Sequence, residues 1–253
     1  MSGKQLIPGL QATREAIQSG TIKISEIWIK EGRKDSRIEE IQQLAKVGSI
    51  PVFFRKSIQL DHLLPDVAHQ GIIAFAQSFD YVDLNQIIRT SLNALNQALI
   101  VVADHITDEG NLGALIRVAA FFKAHGLVLP KNRSARVTER VLKRSAGSSV
   151  HLPVTRVVNL GRTLDVLSKK GFWIIGATGE SPESIYRFDW KRDLVLVLGS
   201  EDKGLSRAVR DRCHQLVSIP AAGHVDSLNI SIASGVILSE ITRQRAYGTC
   251  GAA

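Results

Sequence analysis

Residues 193–206 read DLVLVLGSEDKGLS. Five apolar residues run without a polar break and stop at Gly199. A strand with one wet face alternates apolar and polar residues, so an unbroken run suits a central strand of a parallel sheet covered on both sides. Residues 98–104, ALIVVAD, repeat the pattern, and GFWIIGAT (171–178) and HQLVSIP (214–220) predict further strands. Helical spacing lies between them, over Leu112–Lys123, Thr138–Arg144, Leu160–Lys170 and Leu205–Arg212. Alternating strands and helices predict an open α/β sheet that binds its ligand at the carboxyl ends of the strands.

The first part of the chain is a smaller α/β unit. LQATREAIQSG (10–20) and SRIEEIQQLAKVG (36–48) have helical spacing and end in glycine, whereas SEIWIK (25–30), IPVFF (50–54) and GIIAFA (71–76) read as strands around a short SIQLDHLL helix (57–64). QSFDYVDLNQIIRTSLNALNQ (77–97) is more polar and reads as a connecting segment with a short helix. The domain expectation is 1–77, a linker at 78–97, a larger domain at 98–245 and a flexible tail at 246–253.

The chain has 253 residues, 44% of them hydrophobic, and a formal charge of +8. It can bury two cores, and the positive balance suits a polyanionic partner. Two cysteines, Cys213 and Cys250, form no C-x-x-C pair, and the apolar runs are too short to span a bilayer, so a reduced, cytoplasmic protein is expected. The seven histidines include no H-x-x-x-H pair, and a metal centre is not expected.

The loops after the strands carry the candidate chemistry. DHITDEGNLGALIR (104–117) places Asn111 at a helix start and Arg117 further along it. Read structurally, Asn111 is a helix cap and Arg117 a surface cation; read functionally, both face one anion. GSEDKG (199–204) has the glycine separation of a P-loop, but its lysine is Lys203 and Leu205 occupies the place where a P-loop needs one, which disfavours a nucleotide triphosphatase. No G-x-G-x-x-G or G-x-S-x-G occurs, disfavouring a standard dinucleotide site and a hydrolase elbow. In AAGHVDSLNISIASGVILSE (221–240), Ser227 stands where a helix cap is expected, before an apolar helix beginning at Leu228.

One charge cluster lies outside these loops. KNRSARVTERVLKRS (131–145) holds six cations against Glu139. If helical, it brings Arg136, Arg140 and Arg144 into one stripe. With Arg133 they are candidates for phosphate contacts. KEGRKDSR (30–37) is a weaker candidate, diluted by Glu31 and Asp35.

In order and spacing, DEGNLGALIRVAA (108–120), LVLVLGSEDKGLS (194–206) and VSIPAAGHVDSLNISIASGVILSE (217–240) resemble the three signature motifs of the SpoU (TrmH-type) RNA 2′-O-ribose methyltransferases. LIPGLQATREAI (6–17) through HQGIIAFA (69–76) resembles the small RNA-binding domain that precedes the catalytic domain in many members. SAGSSVHLPVTRVVNL (145–160) is similar to the subgroup acting on a guanosine ribose of bacterial 23S ribosomal RNA. The resemblance implies a parallel sheet with a deep trefoil knot, S-adenosylmethionine as cofactor, RNA as partner and a homodimer formed through the catalytic domain. A tRNA methyltransferase of the same family, or a non-catalytic RNA-binding or ribosome-assembly protein, are the alternative readings.

Carried over by position, Gly199, Ile219 and Leu228 hold the cofactor through backbone groups, with Gly176 and Thr178 bordering it. Asn111, Arg117, Glu201, Ser227 and Asn229 match the polar positions around the transfer site. Glu109, Val118 and Asp202 depart from common motif residues (proline, threonine and glycine respectively) and flank the polar positions without removing them.

Overall fold

The computed structural model describes residues 5–200, 203–223 and 227–247. The chain forms two compact units, Met1–Asp80 with Arg136–His151, and Tyr81–Ala135 with Leu152–Ala253.

The first unit runs β1 (Gln5–Pro8), α1 (Leu10–Ser19), β2 (Ile24–Lys30), α2 (Ser36–Val47), β3 (Val52–Arg55), α3 (Ser57–Leu63) and β4 (Ile72–Ala76). Its strands lie in the order β1-β4-β2-β3, with only β2 and β3 parallel. Alternation along β2 buries Ile27 and Ile29 on one face and leaves Trp28 on the other, in a cluster with Leu60, Leu64, Ile73 and Phe75. Asp35 caps α2 by accepting the Arg37 and Ile38 N–H groups.

The second unit begins with α4 (Leu84–Leu92), followed by β5 (Leu99–Ala103), α5 (Glu109–Phe121) and β6 (Gly126–Pro130). After β6 the chain contributes α6 (Glu139–Arg144) and a 3₁₀ turn (Ser148–Val150) to the first unit. It then returns as β7 (Val154–Val157), α7 (Leu160–Lys169), β8 (Trp173–Ala177), β9 (Leu194–Leu198), α8 (Arg207–Arg210), β10 (Gln215–Val217) and α9 (Ile230–Tyr247). Six parallel strands in the order β10-β8-β9-β5-β6-β7 form the expected open α/β sheet.

Every residue of β5, β6 and β9 is buried. Ile100, Val102, Val195 and Val197 pack with Ile87 and Ile88 of α4 and with Leu160, Leu164 and Leu167 of α7. Alternation turns Val101 and Leu196 to the opposite face, on which α5 and α9 pack together. Burying each such aliphatic side chain stabilises by about 1.5–3 kcal/mol.

Three expectations are corrected. Residues 78–97 are not a linker: α4 belongs to the second unit, and its Ile87 lies so close to Gly126 that a Cβ there would stand 2.6 Å from Ile87 Cγ2. The 98–245 domain is interrupted, because residues 136–151 build onto the first unit. Gln5 Nε2 donates to the Val137 carbonyl at 3.0 Å and His151 bonds Glu15 at 2.9 Å. Gly147, at φ +86, lies over α1, where a Cβ would come within 2.6 Å of Glu15 Cβ. Finally, α9 continues to Tyr247, and the rest of the expected tail lies outside the described residues. No helix among the described residues is long and apolar enough to cross a membrane.

Ile87→Ala tests the place of α4. We predict a loss of about 2–5 kcal/mol in denaturant unfolding, as for other core truncations; a linker residue would lose almost nothing.

Candidate active site

A cavity of about 510 Å³ opens at the carboxyl ends of β8, β9 and β10, beside the start of α9. Ala177, Thr178 and Gly179 line it from the end of β8, Leu198, Gly199 and Gly204 from β9, and Val217 with the chain from Ile219 to Gly223 from β10. Ser227, Leu228, Ile230, Ala233 and Ile237 close it. Ile230, Ala233 and Ile237 fall on one helical face at i, i+3 and i+7. Among the described residues no side chain of this lining is ionisable, and its polar groups are those of the backbone and the hydroxyls of Thr178 and Ser227.

Tight backbone contacts shape the β9 wall. Ser200 and Gly204 exchange N–H···O bonds of 3.1 and 2.9 Å, and Gly204 takes φ +60. A Cβ on Gly199 would lie 2.2 Å from the Gly204 carbonyl carbon, so only glycine fits. Asp104, buried at the end of β5, accepts the Ser206 N–H at 2.7 Å and also pairs with His105 Nδ1. This carboxylate anchors the loop as it leaves the cavity. Its sequence signal is an acid directly after an unbroken apolar strand.

The β8 wall is fixed by the Thr178 N–H on the Val217 carbonyl, 2.9 Å, while Thr178 Oγ1 accepts from the Glu180 N–H. Gly176 does not line the cavity. It packs inside the unit, where a Cβ would stand 2.7 Å from Leu205 Cδ1 and 2.8 Å from Cys213 Sγ. Burial, and secondarily the Asp104 charge, pushes the Cys213 thiol up to about 11, so it stays protonated at neutral pH.

The polar positions separate into those the fold joins and those it does not. Asn229 Nδ2 donates to Asn111 Oδ1 at 2.9 Å, linking α5 to the start of α9. Asn229 Oδ1 in turn accepts the Ser231 N–H and hydroxyl at 2.9 and 2.6 Å. Asn229, not Ser227, therefore caps α9, and Ser227 is left exposed at the cavity rim. The cap of α5 is Asp108, which accepts the Asn111 N–H at 2.7 Å and frees the Asn111 side chain from that role.

Arg117 lies six residues beyond Asn111 on α5, which turns it about 120° around the helix. It is exposed and stands apart from the Asn111–Asn229 pair. Glu201 and Asp202 lie outside the described residues. Among the described residues there is no group of His, Cys, Asp and Glu side chains that could hold a metal.

The basic stripe also divides. Thr138 caps α6, so Arg136 precedes the helix and only Arg140 and Arg144 share it. All three belong to the first unit, whereas Arg133, exposed at φ +53, belongs to the second.

The sequence profile of the SpoU rRNA Methylase family matches residues 98–239, and that of RNA 2′-O ribose methyltransferase substrate binding matches residues 6–82. A 23S rRNA (guanosine-2′-O-)-methyltransferase RlmB of Pseudomonas putida is 36% identical, covering 97% of this chain and 98% of its own. A putative TrmH family tRNA/rRNA methyltransferase of Staphylococcus haemolyticus is 36% identical over 95% of this chain and 96% of its own. The SpoU methyltransferase AviRb from Streptomyces viridochromogenes, solved with the cofactor AdoMet, superposes with a TM-score of 0.80 at 26% identity, covering 96% of this chain and 91% of its own. With its second and third motif loops lining one cavity and both profiles matched in order, the chain belongs to the SpoU rRNA methylase family and is an S-adenosylmethionine-dependent RNA methyltransferase.

Proposed function

We propose that this protein methylates the ribose 2′-oxygen of a guanosine in 23S ribosomal RNA. The observation that carries the reading is the meeting of the second and third motif loops at one cavity, with the first motif joined to the third by the Asn111–Asn229 bond next to the lining. The P. putida relative, similar along nearly its whole length, supports the 23S guanosine.

The cavity suits the cofactor. Its volume is that of a small-molecule site, its described lining is mostly apolar and carries no charge, and glycine- and proline-bearing loops supply backbone donors and acceptors. Thr178, Gly199, Ile219 and Leu228 would hold S-adenosylmethionine, and Ser227 lies at the rim for the ribose. When bound, the cofactor supplies an electrophilic methyl group. The protein must then place the 2′-oxygen, exclude water and stabilise the charge that develops as the hydroxyl proton leaves.

Asn229 acts as a positioning residue. Hydrogen bonds to Asn111 and Ser231 fix the orientation of its amide, and through it that of Asn111. Arg117 is assigned the adjacent phosphate and the developing alkoxide; a guanidinium with a pKa above about 12 does not serve as base. The proton goes to a phosphate oxygen, to Glu201 or to water. Arg133, Arg136, Arg140 and Arg144 contact the RNA backbone, and a flexible or single-stranded element exposes the ribose.

The same reading makes the enzyme a cytoplasmic homodimer whose C-terminal segment is threaded as a trefoil knot. Phe121 on α5 and Ile232 on α9, 78% and 56% exposed, support the dimer as apolar groups for a second copy to cover.

Mapping 2′-O-methyl groups in RNA from cells with and without the protein should show one 23S guanosine losing its methyl. A tRNA position lost instead, or no change, contradicts the reading. Asn229→Ala should lower kcat about 100-fold, as a misplaced reacting group does, while cofactor affinity stays within about threefold; an equal loss in both would refute the positioning role. Arg117→Lys keeps the charge but not the planar fork and should lower kcat by about 10²–10³. Wild-type turnover would remove Arg117 from the site.

A further inference from the structure

In the second unit, residues 126–135 (GLVLPKNRSA) and 152–164 (LPVTRVVNLGRTL) hold Lys131, Arg133, Arg156 and Arg162 and no acid. Lys131 and Arg133 follow β6, Arg156 stands near the end of β7, and Arg162 is in the first turn of α7. All four therefore sit at the carboxyl end of the sheet, where the cavity opens. In the order β9-β5-β6-β7 this edge is two to three strands from the β9 wall, or about 10–15 Å at the usual strand spacing.

Hydrogen bonds build the edge and tie it to the first motif. The Lys131 N–H donates to the Val157 carbonyl at 2.8 Å, and the Lys131 carbonyl accepts from Arg156 Nη2 at 2.5 Å. The Arg156 guanidinium also lies over the Tyr81 ring, 5.6 Å from its centroid. Further along, Ser134 Oγ and the Ala135 N–H both donate to the Ile106 carbonyl, at 3.1 and 2.8 Å. Ile106 belongs to the loop between Asp104 and Asn111, so the cationic loop and the first motif loop are pinned at one carbonyl. Arg133 is held between these anchors at φ +53, with its side chain exposed.

The charges are not neutralised. None of the four cations forms an ion pair among the described residues. The nearby carboxylates are engaged elsewhere: Asp83 caps α4, Asp104 holds the Ser206 N–H, Asp108 caps α5, and Asp165 bonds Arg212 at 3.0 Å. Glu109, at the start of α5, is the acid left on the neighbouring loop. A lone exposed cation is ordinary, but unpaired cations gathered on one edge without acids suit a partner whose negative charges recur along a chain. An RNA strand whose ribose enters the cavity must run past one side of it, and β6 and β7 flank that side.

We propose that the carboxyl edge of β6 and β7 holds phosphates of the RNA strand beside the nucleotide being methylated. Lys131, Arg133 and Arg162 make the contacts, and Arg156 is the strut that sets the Lys131 backbone. This rests on the RNA-methylation reading above, and gives the methyltransferase unit a phosphate track of its own, apart from the Arg136, Arg140 and Arg144 segment.

The test is binding of a labelled in vitro 23S ribosomal RNA transcript to the full chain between about 50 and 200 mM salt. The triple variant Lys131→Gln, Arg133→Gln, Arg162→Gln should bind about 10-fold more weakly, with the salt slope reduced by about 2 for three lost single-strand phosphate contacts. Its S-adenosylmethionine affinity should equal that of the wild type. Lys131→Gln with Arg162→Gln, which spares the left-handed Arg133, should show about two-thirds of that slope change. Wild-type affinity and slope in both variants would overturn the proposal, and would overturn it alone if Arg136→Gln with Arg140→Gln and Arg144→Gln does weaken binding. A matching loss of S-adenosylmethionine affinity would also overturn it, since the substitutions would then act through the cavity. Failure of the wild-type chain to bind the transcript would overturn it together with the RNA reading.

Discussion

A single buried carboxylate joins the ends of two central strands. Asp104 closes β5, and its oxygen receives the Ser206 N–H from the loop that follows β9, 102 residues later in the chain. Losing that acceptor would leave a backbone donor without its partner, at a cost of about 1–3 kcal/mol. The bond also sets the exit of the loop that Ser200 and Gly204 pinch shut against Gly199. The cavity wall at β9 thus depends on a residue that does not line the cavity.

The opposite wall is held from a distance in the same way. The guanidinium of Arg245, near the far end of α9, donates to the carbonyls of Gln97, Ala98, Trp190 and Arg192. Burial lowers its pKa to about 10, which leaves it charged at neutral pH. Gln244 adds bonds to Trp190 and Phe188. These contacts fix α9 at one end, and the Asn229–Asn111 bond fixes it at the other. Both ends of α9 are thus held by ordinary hydrogen bonds, to backbone carbonyls at one end and to the Asn111 side chain at the other.

Much of this was legible in the sequence, and the failures have physical causes. Unbroken apolar runs marked β5 and β9 because both faces of the sheet are covered. Thr178, Gly199, Ile219 and Leu228 do line the cavity. Gly176 does not, and a glycine required by a packed interior reads the same as one required by a ligand. The strands GLVLP and VTRV escaped because runs of four or five residues beside proline carry little periodicity. The place of α4 was hidden by its polar flanks, although Ile87 and Ile88 mark its inner face. No local pattern could show residues 136–151 joining the first unit, since contacts such as Gln5 to Val137 span 132 positions.

The central claim is that the loops after β8, β9 and β10 form the cofactor site through backbone shape. Calorimetric titration of S-adenosylmethionine into the wild-type chain and into Gly199→Ala tests it most directly. The Cβ of the variant would stand 2.2 Å from the Gly204 carbonyl carbon, so the pinched loop must open. We expect saturable binding by the wild type and at least about a tenfold loss, or about 1.4 kcal/mol, in a variant that keeps its native circular dichroism. Full affinity in the variant, or no binding by the wild type, would contradict the account.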